Sequence, residues 1–119
     1  MDIETLRTYC ISKKGVSEDF PFDDVTLVFK VMGKMFALVS LERLPLQVNL
    51  KCNPEKAIEL REEHDGAILP GYHMSKVHWN TLIVEKISPK LILELIDHSY
   101  DLVVSKLTKK LKDELASLD

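Results

Sequence analysis

Few residues in this chain have the type and spacing that covalent chemistry needs. Cys10 and Cys52 are the candidate nucleophiles. Cys10 falls on the apolar side of a helical repeat with Ile3 and Leu6, and Cys52 on the apolar side of an alternating run with Leu46, Val48 and Leu50. Buried thiols in such places are inert, so both are expected as free, reduced cysteines. His73 and His78 would be a metal pair if Cys52 or His64 completed the set. Zinc sites in domains of this size usually declare themselves by paired cysteines, and this chain has no C-x-x-C. Asp23-Asp24 and Glu62-Glu63 are adjacent carboxylates. Neighbours on a helix diverge, so Glu62 and Glu63 read as a solvated face. The serine-hydrolase elbow, the phosphate-binding loop, the dinucleotide fingerprint and the H-E-x-x-H zinc motif do not occur. The expectation is a chain with no catalytic residue, no metal and no cofactor, and not an enzyme.

The informative set is basic and aromatic. Lys30 and Lys34 flank a hairpin tip, and Lys51 ends a strand on its polar side. Lys76, His78 and Trp79 open a later strand, and Lys106, Lys109, Lys110 and Lys112 crowd the last helical region. Basic hairpin tips can straddle a phosphate backbone, and an indole can stack or wedge. Against this, lysines also keep edge strands soluble. A lone Trp most often fills a core, and for Trp79 that reading carries more weight.

Charge bounds the options. Lys plus Arg total 16 against 19 Asp plus Glu in 119 residues, a net charge of -3. This excludes a polybasic nucleic-acid coat and a disordered acidic tail. Any basic surface must therefore be local. Apolar residues make up 45% of the chain, enough for a core without disulfides. The stretch from Met1 to Lys14 lacks the apolar centre of a signal peptide, and no apolar run approaches the ~20 residues of a membrane span. A cytoplasmic protein that does not engage membranes is expected, with residues 1–119 as one domain.

The elements that must position these residues follow from periodicity. Ile3, Leu6 and Cys10 predict a helix capped by Asp2 and stopped by Gly15, with a loop over residues 16–24. Alternation predicts strands over residues 25–31, 34–41 and 46–52, a meander turned by Gly33 with one wet face. Asn53-Pro54-Glu55 starts a helix that runs to about His64. Pro70-Gly71 marks a turn, a strand covers residues 78–85, and Ser88-Pro89 opens a long helix. Its stripe of Ile92, Leu95, Ile96, Ser99 and Val103 continues through Leu107, Leu111, Leu115 and Leu118, past a kink near Thr108. Antiparallel strands and one-striped helices make a two-layer α+β domain.

The segments Gly33-Lys34-Met35-Phe36, Leu50-Lys51-Cys52-Asn53-Pro54, Pro70-Gly71-Tyr72-His73-Met74 with Lys76, His78-Trp79-Asn80-Thr81 and Ser99-Tyr100-Asp101-Leu102-Val103 resemble the MmcQ/YjbR family. The resemblance runs from the first helix to Lys110. It implies a two-layer sandwich, an antiparallel sheet of about five strands with helices packed on it in the order α-β-β-β-α-β-β-α. It adds a short fourth strand within residues 67–74, and a double-wing shape like that of type III secretion chaperones. It also implies a small bacterial cytosolic protein with no known cofactor. The family is commonly labelled DNA-binding, largely on its winged shape, so the function expected from the resemblance is a DNA-binding module. Lys30, Lys34, Lys51, Lys76, Lys106, Lys109 and Lys110 would contact phosphates and His78 or Trp79 a base or sugar, in weak, sequence-tolerant binding to duplex DNA. The alternative is a chaperone-like module that holds a peptide or protein partner on a sheet edge or an apolar face. The chain departs from the family at Lys14-Gly15-Val16 and at Thr108, where prolines are common, and the second departure is expected to let the last helix run straighter.

Overall fold

The computed structural model describes residues 1–71 and 74–118. Helix α1 (Ile3–Ser12) starts where Asp2 Oδ1 accepts the Thr5 N–H at 2.8 Å. Leu6 and Cys10 are its buried positions, as their spacing requires. Gly15, at φ 75°, turns the chain back into strand β1 (Val16–Asp19), and the Arg7–Glu18 ion pair ties strand to helix.

Strands β2 (Thr26–Val31) and β3 (Lys34–Ser40) form a hairpin. Its two-residue turn, Met32-Gly33, holds both residues at positive φ, 50° and 84°, the pattern whose twist matches paired strands. Phe29 pairs with Ala37 and Lys30 with Met35, so Phe36 is an extra residue that bulges β3. Phe36 and Ala37 consequently both join the main core. Strand β4 (Gln47–Lys51) follows, then helix α2 (Pro54–Glu63), strands β5 (Ile68–Pro70) and β6 (Trp79–Ile83), and a 3₁₀ turn at Val84–Lys86. Helix α3 (Pro89–Ser105) and helix α4 (Lys109–Ser117) close the chain.

The six strands form one antiparallel sheet in the order β1-β2-β3-β4-β6-β5. Helix α3 lies over β3 and β4, with α1 beside β1 and α2 beside β5. One core unites them, from Leu6 and Cys10 through Leu27, Phe29, Phe36, Val48 and Leu50 to Leu60, Ile92, Leu95, Ile96 and Val103. The expected α+β class and helix-covered antiparallel sheet are what is found. The strand expected within residues 67–74 is β5, and the two cysteines are free and buried.

Four expectations need correction. Part of the expected loop at residues 16–24 is strand β1, which brings the sheet of about five strands to six. Its pairing to β2, not its own apolar content, makes it a strand. The last helix does not run straight: α3 ends at Ser105, and Thr108 Oγ1 accepts the Leu111 N–H at 3.2 Å to start α4 afresh. The 3₁₀ turn takes over the end of the strand expected up to residue 85. The face away from the helices is not simply wet. Val28, Leu38 and Trp79 are buried there, with Met35 and Met74 against them.

Candidate functional site

Antiparallel pairing brings distant lysines to one end of the sheet. Lys34 opens β3, Lys51 closes β4 and Trp79 opens β6, so the three lie at the same end of adjacent strands. There a hollow of about 340 Å³ is lined by Lys51, Asn53, Ser75, His78 and Lys106, with the edge of Trp79. Three of the segments that carry the family resemblance, 50–54, 78–81 and 99–103, meet at this hollow.

The walls are set by hydrogen bonds. The Lys51 N–H donates to Ser99 Oγ at 2.9 Å, and that hydroxyl donates to the Phe36 carbonyl at 2.6 Å. The Cys52 N–H donates to the His78 carbonyl at 2.8 Å. The Asn53 N–H donates to His98 Nε2 at 3.2 Å. Burial, then the charge of Lys56, pushes the His98 imidazole down against the opposing pull of Asp101, which keeps it neutral and able to accept. Asn53 Oδ1 accepts from Glu55 N and Lys56 N, and the Asn53 carbonyl accepts from Ala57 N. Pro54 has no N–H. Every backbone donor from Lys51 to Ala57 is thus used inside the protein, and a ligand in the hollow must be held by side chains.

Those side chains are cationic. Among the described residues Lys51 and Lys106 form no ion pair, whereas Lys13 pairs with Asp97, Lys30 with Asp19 and Lys109 with Asp113. The positive end of α2 also faces the hollow through Pro54.

The candidate residues therefore separate. Lys51, His78 and Lys106 converge on the hollow. Lys76 is exposed on the turn before β6, which is held by His78 N–H and Trp79 N–H bonds to the Ser75 carbonyl. Lys34 is exposed beside the hairpin turn. Lys30 has its ammonium 3.3 Å from Asp19, which offsets its charge. Lys109 and Lys110 lie on α4, outside the hollow, and Lys109 sits 3.3 Å from Asp113. Trp79 is 7% exposed and packs on Val28 and Leu38, so its ring is a core filler and not a stacking platform. His73 lies outside the described residues. Asn53, Ser75 and Ser99 were not read as site residues from the sequence. The signal for Asn53 was its helix cap, and for Ser99 a polar residue inside an apolar stripe.

The cysteines are poor nucleophiles. Burial pushes the Cys10 thiol up to about 12, and burial also raises Cys52 against the opposing charges of Lys56 and Arg61. No group of three or more His, Cys, Asp or Glu among the described residues is placed to share a metal ion. No described helix is long and apolar enough to cross a membrane. On the helix-free face a second cavity, about 420 Å³, lies between Phe22, Leu38, Ser40, Gln47, Asn49 and Met74.

Fold and hollow together define a small α+β domain with one helix-covered sheet and a cationic recess at its end. A family model described as YjbR matches residues 11–102. The uncharacterized protein YjbR of Escherichia coli is 33% identical over 120 residues, covering 99% of this chain and 100% of that protein. The uncharacterized protein YyaQ of Bacillus subtilis is 45% identical over 115 residues, covering 83% of this chain and 95% of that one. A crystal structure from Deinococcus radiodurans, with family-model domain DUF419, superimposes with a TM-score of 0.90 at 42% identity, covering 96% of this chain and 87% of that one. The chain belongs to the YjbR family.

Proposed function

We propose that this protein is a non-enzymatic nucleic-acid-binding module that contacts phosphate through the lysine-rich end of its sheet. The observation that carries the reading is the convergence of Lys51, Lys106 and His78 on one recess, with Lys34 and Lys76 at the same end. On a chain of net charge -3, binding has to be local. Non-specific affinity scales with the number of phosphates neutralised, so a handful of lysines supports weak, sequence-tolerant binding. Fluorescence anisotropy with a labelled duplex, titrated from low to physiological salt, tests it. Lys51→Ala and Lys76→Ala should each weaken binding at low salt and flatten the log–log salt dependence by about one unit, while melting like the parent. No binding by the parent at low ionic strength removes the reading.

A second reading draws on a different surface. The cavity on the helix-free face is walled by apolar Phe22, Leu38 and Met74, and Phe22 is 63% exposed. Exposed aromatics beside an apolar cavity suit a protein partner. If the duplex fails to bind, this face is where substitutions should next be made, beginning with Phe22→Ala.

A further inference from the structure

We propose that the recess between Lys51, His78 and Lys106 takes a phosphomonoester, the terminal phosphate of a nucleic-acid strand, in preference to a phosphodiester within one. The inference rests on the nucleic-acid reading for the source of that phosphate, and on the recess itself for its chemistry.

Shape is the first argument. The recess is concave, about 340 Å³, and Lys51 at its wall is half-buried. A duplex presents its phosphates along a convex ridge, which can touch Lys51 at the wall alongside exposed Lys34 and Lys76 but does not bring one phosphate between Lys51 and Lys106. Reaching Lys51 and Lys106 together calls for a group that protrudes, and a strand end does so.

Charge is the second. Two lysines line the recess, and neither is in an ion pair among the described residues. A phosphomonoester carries about -1.5 to -2 charges near neutral pH, where an internal diester carries one. The α2 dipole adds favourable field at the same place.

Donor type is the third. The backbone N–H groups from Lys51 to Ala57 are consumed internally, so side chains must do the recognising. The two ammoniums, the Ser75 hydroxyl and the His78 ring are donors able to meet the three terminal oxygens of a monoester. Leu102 and the edge of Trp79 supply an apolar wall for the adjoining sugar.

The test compares two single-stranded oligonucleotides of one sequence, labelled at the 3′ end, one with a 5′-phosphate and one with a 5′-hydroxyl. Anisotropy at low salt should show the phosphorylated strand bound about tenfold more tightly or better, the equivalent of one charge-assisted hydrogen bond. Lys106→Ala and Lys51→Met should each erase that preference without changing the melting temperature. Equal, salt-dependent binding of the two strands overturns the inference and leaves the nucleic-acid reading standing. If neither strand binds and the labelled duplex also fails, the nucleic-acid reading falls. Calorimetry with a nucleoside 5′-monophosphate then decides the recess alone. Saturable binding lost in Lys106→Ala supports a phosphomonoester site fed by free nucleotide, and no binding overturns it.

Discussion

The Lys51 backbone N–H donates to Ser99 Oγ across 2.9 Å, joining the last residue of β4 to the middle of α3. The same hydroxyl donates onward to the Phe36 carbonyl, so one fully buried side chain clamps two strands and the helix above them. Ser99→Ala would leave a donor and an acceptor unpaired in the core. The expected cost is about 1–3 kcal/mol, read as a lower denaturant midpoint at unchanged slope. A variant within about 0.5 kcal/mol of the parent would mean that the clamp is dispensable.

Phe36 is completely buried, sits at the β3 bulge, and meets Tyr100 edge-on with ring centroids 5.6 Å apart. Phe36→Ala should cost about 3–5 kcal/mol in denaturant melts. A loss below about 1 kcal/mol would place the ring at a surface, contrary to its burial.

Gly71 lies against Trp79: a Cβ there would come 2.7 Å from Trp79 Cβ and 2.9 Å from its carbonyl oxygen. The carbonyl is backbone and cannot swing aside. Gly71→Ala should destabilise by about 1–3 kcal/mol and displace β6 at the edge of the cationic recess. Trp79 is the one tryptophan, so its fluorescence reports the shift directly. An unchanged emission spectrum with unchanged stability would contradict the close approach.

Asp97 accepts the Tyr9 hydroxyl at 2.7 Å and pairs with Lys13, joining α3 to α1 and the segment after it. Burial pushes the Asp97 carboxyl up, but the Lys13 and Tyr9 hydrogen bonds and the Lys13 charge outweigh it and hold it below its usual 3.8. A folded pKa below the unfolded value contributes stability above pH 3.8 that is lost as pH falls through the folded value. Asp97→Asn should therefore melt earlier than the parent near pH 7, with the gap closing in acid. At the other extreme the bond to Asp97, aided by burial, raises the Tyr9 phenol from 10.0 to about 12. Its contribution is present below pH 10.0 and lost as pH rises through about 12, and a spectrophotometric titration should show the Tyr9 step moving down in Asp97→Asn while Tyr100, raised by burial and by the charge of Asp101, stays raised. A gap that persists unchanged into acid would sink this account.

Local pattern made much of the fold legible. Alternation from Val25 to Val31, the turn at Gly33 and the caps Asp2, Asn53 and Ser88 each act within a few residues, and each recurs in the structure. β1 was illegible because a four-residue acidic edge strand has no apolar alternation of its own, and only its pairing to β2 makes it a strand. The kink expected near Thr108 is the break between α3 and α4, and Leu107 and Leu115, both buried, keep the apolar spacing on either side of it. For the candidate site, residue types were readable and proximity was not. Lys51 and Trp79 become cross-strand partners through the β4–β6 pairing, and Lys106 reaches them because α3 crosses β4. The burial of Trp79 depends on Val28 and Leu38 from strands far away along the chain.

The two margins of the sheet bear on how copies of this protein can meet. On one margin β1 is four residues long, with Ser17 and Asp19 exposed. On the other, β5 is three residues long and ends in Pro70, which has no N–H to offer. Short, charged or proline-ended margins make poor templates for a further strand. The open sheet is therefore sealed against lateral growth without closing into a barrel. Folded molecules crowded together are expected to touch through faces and helices rather than to zip into a continuous ribbon.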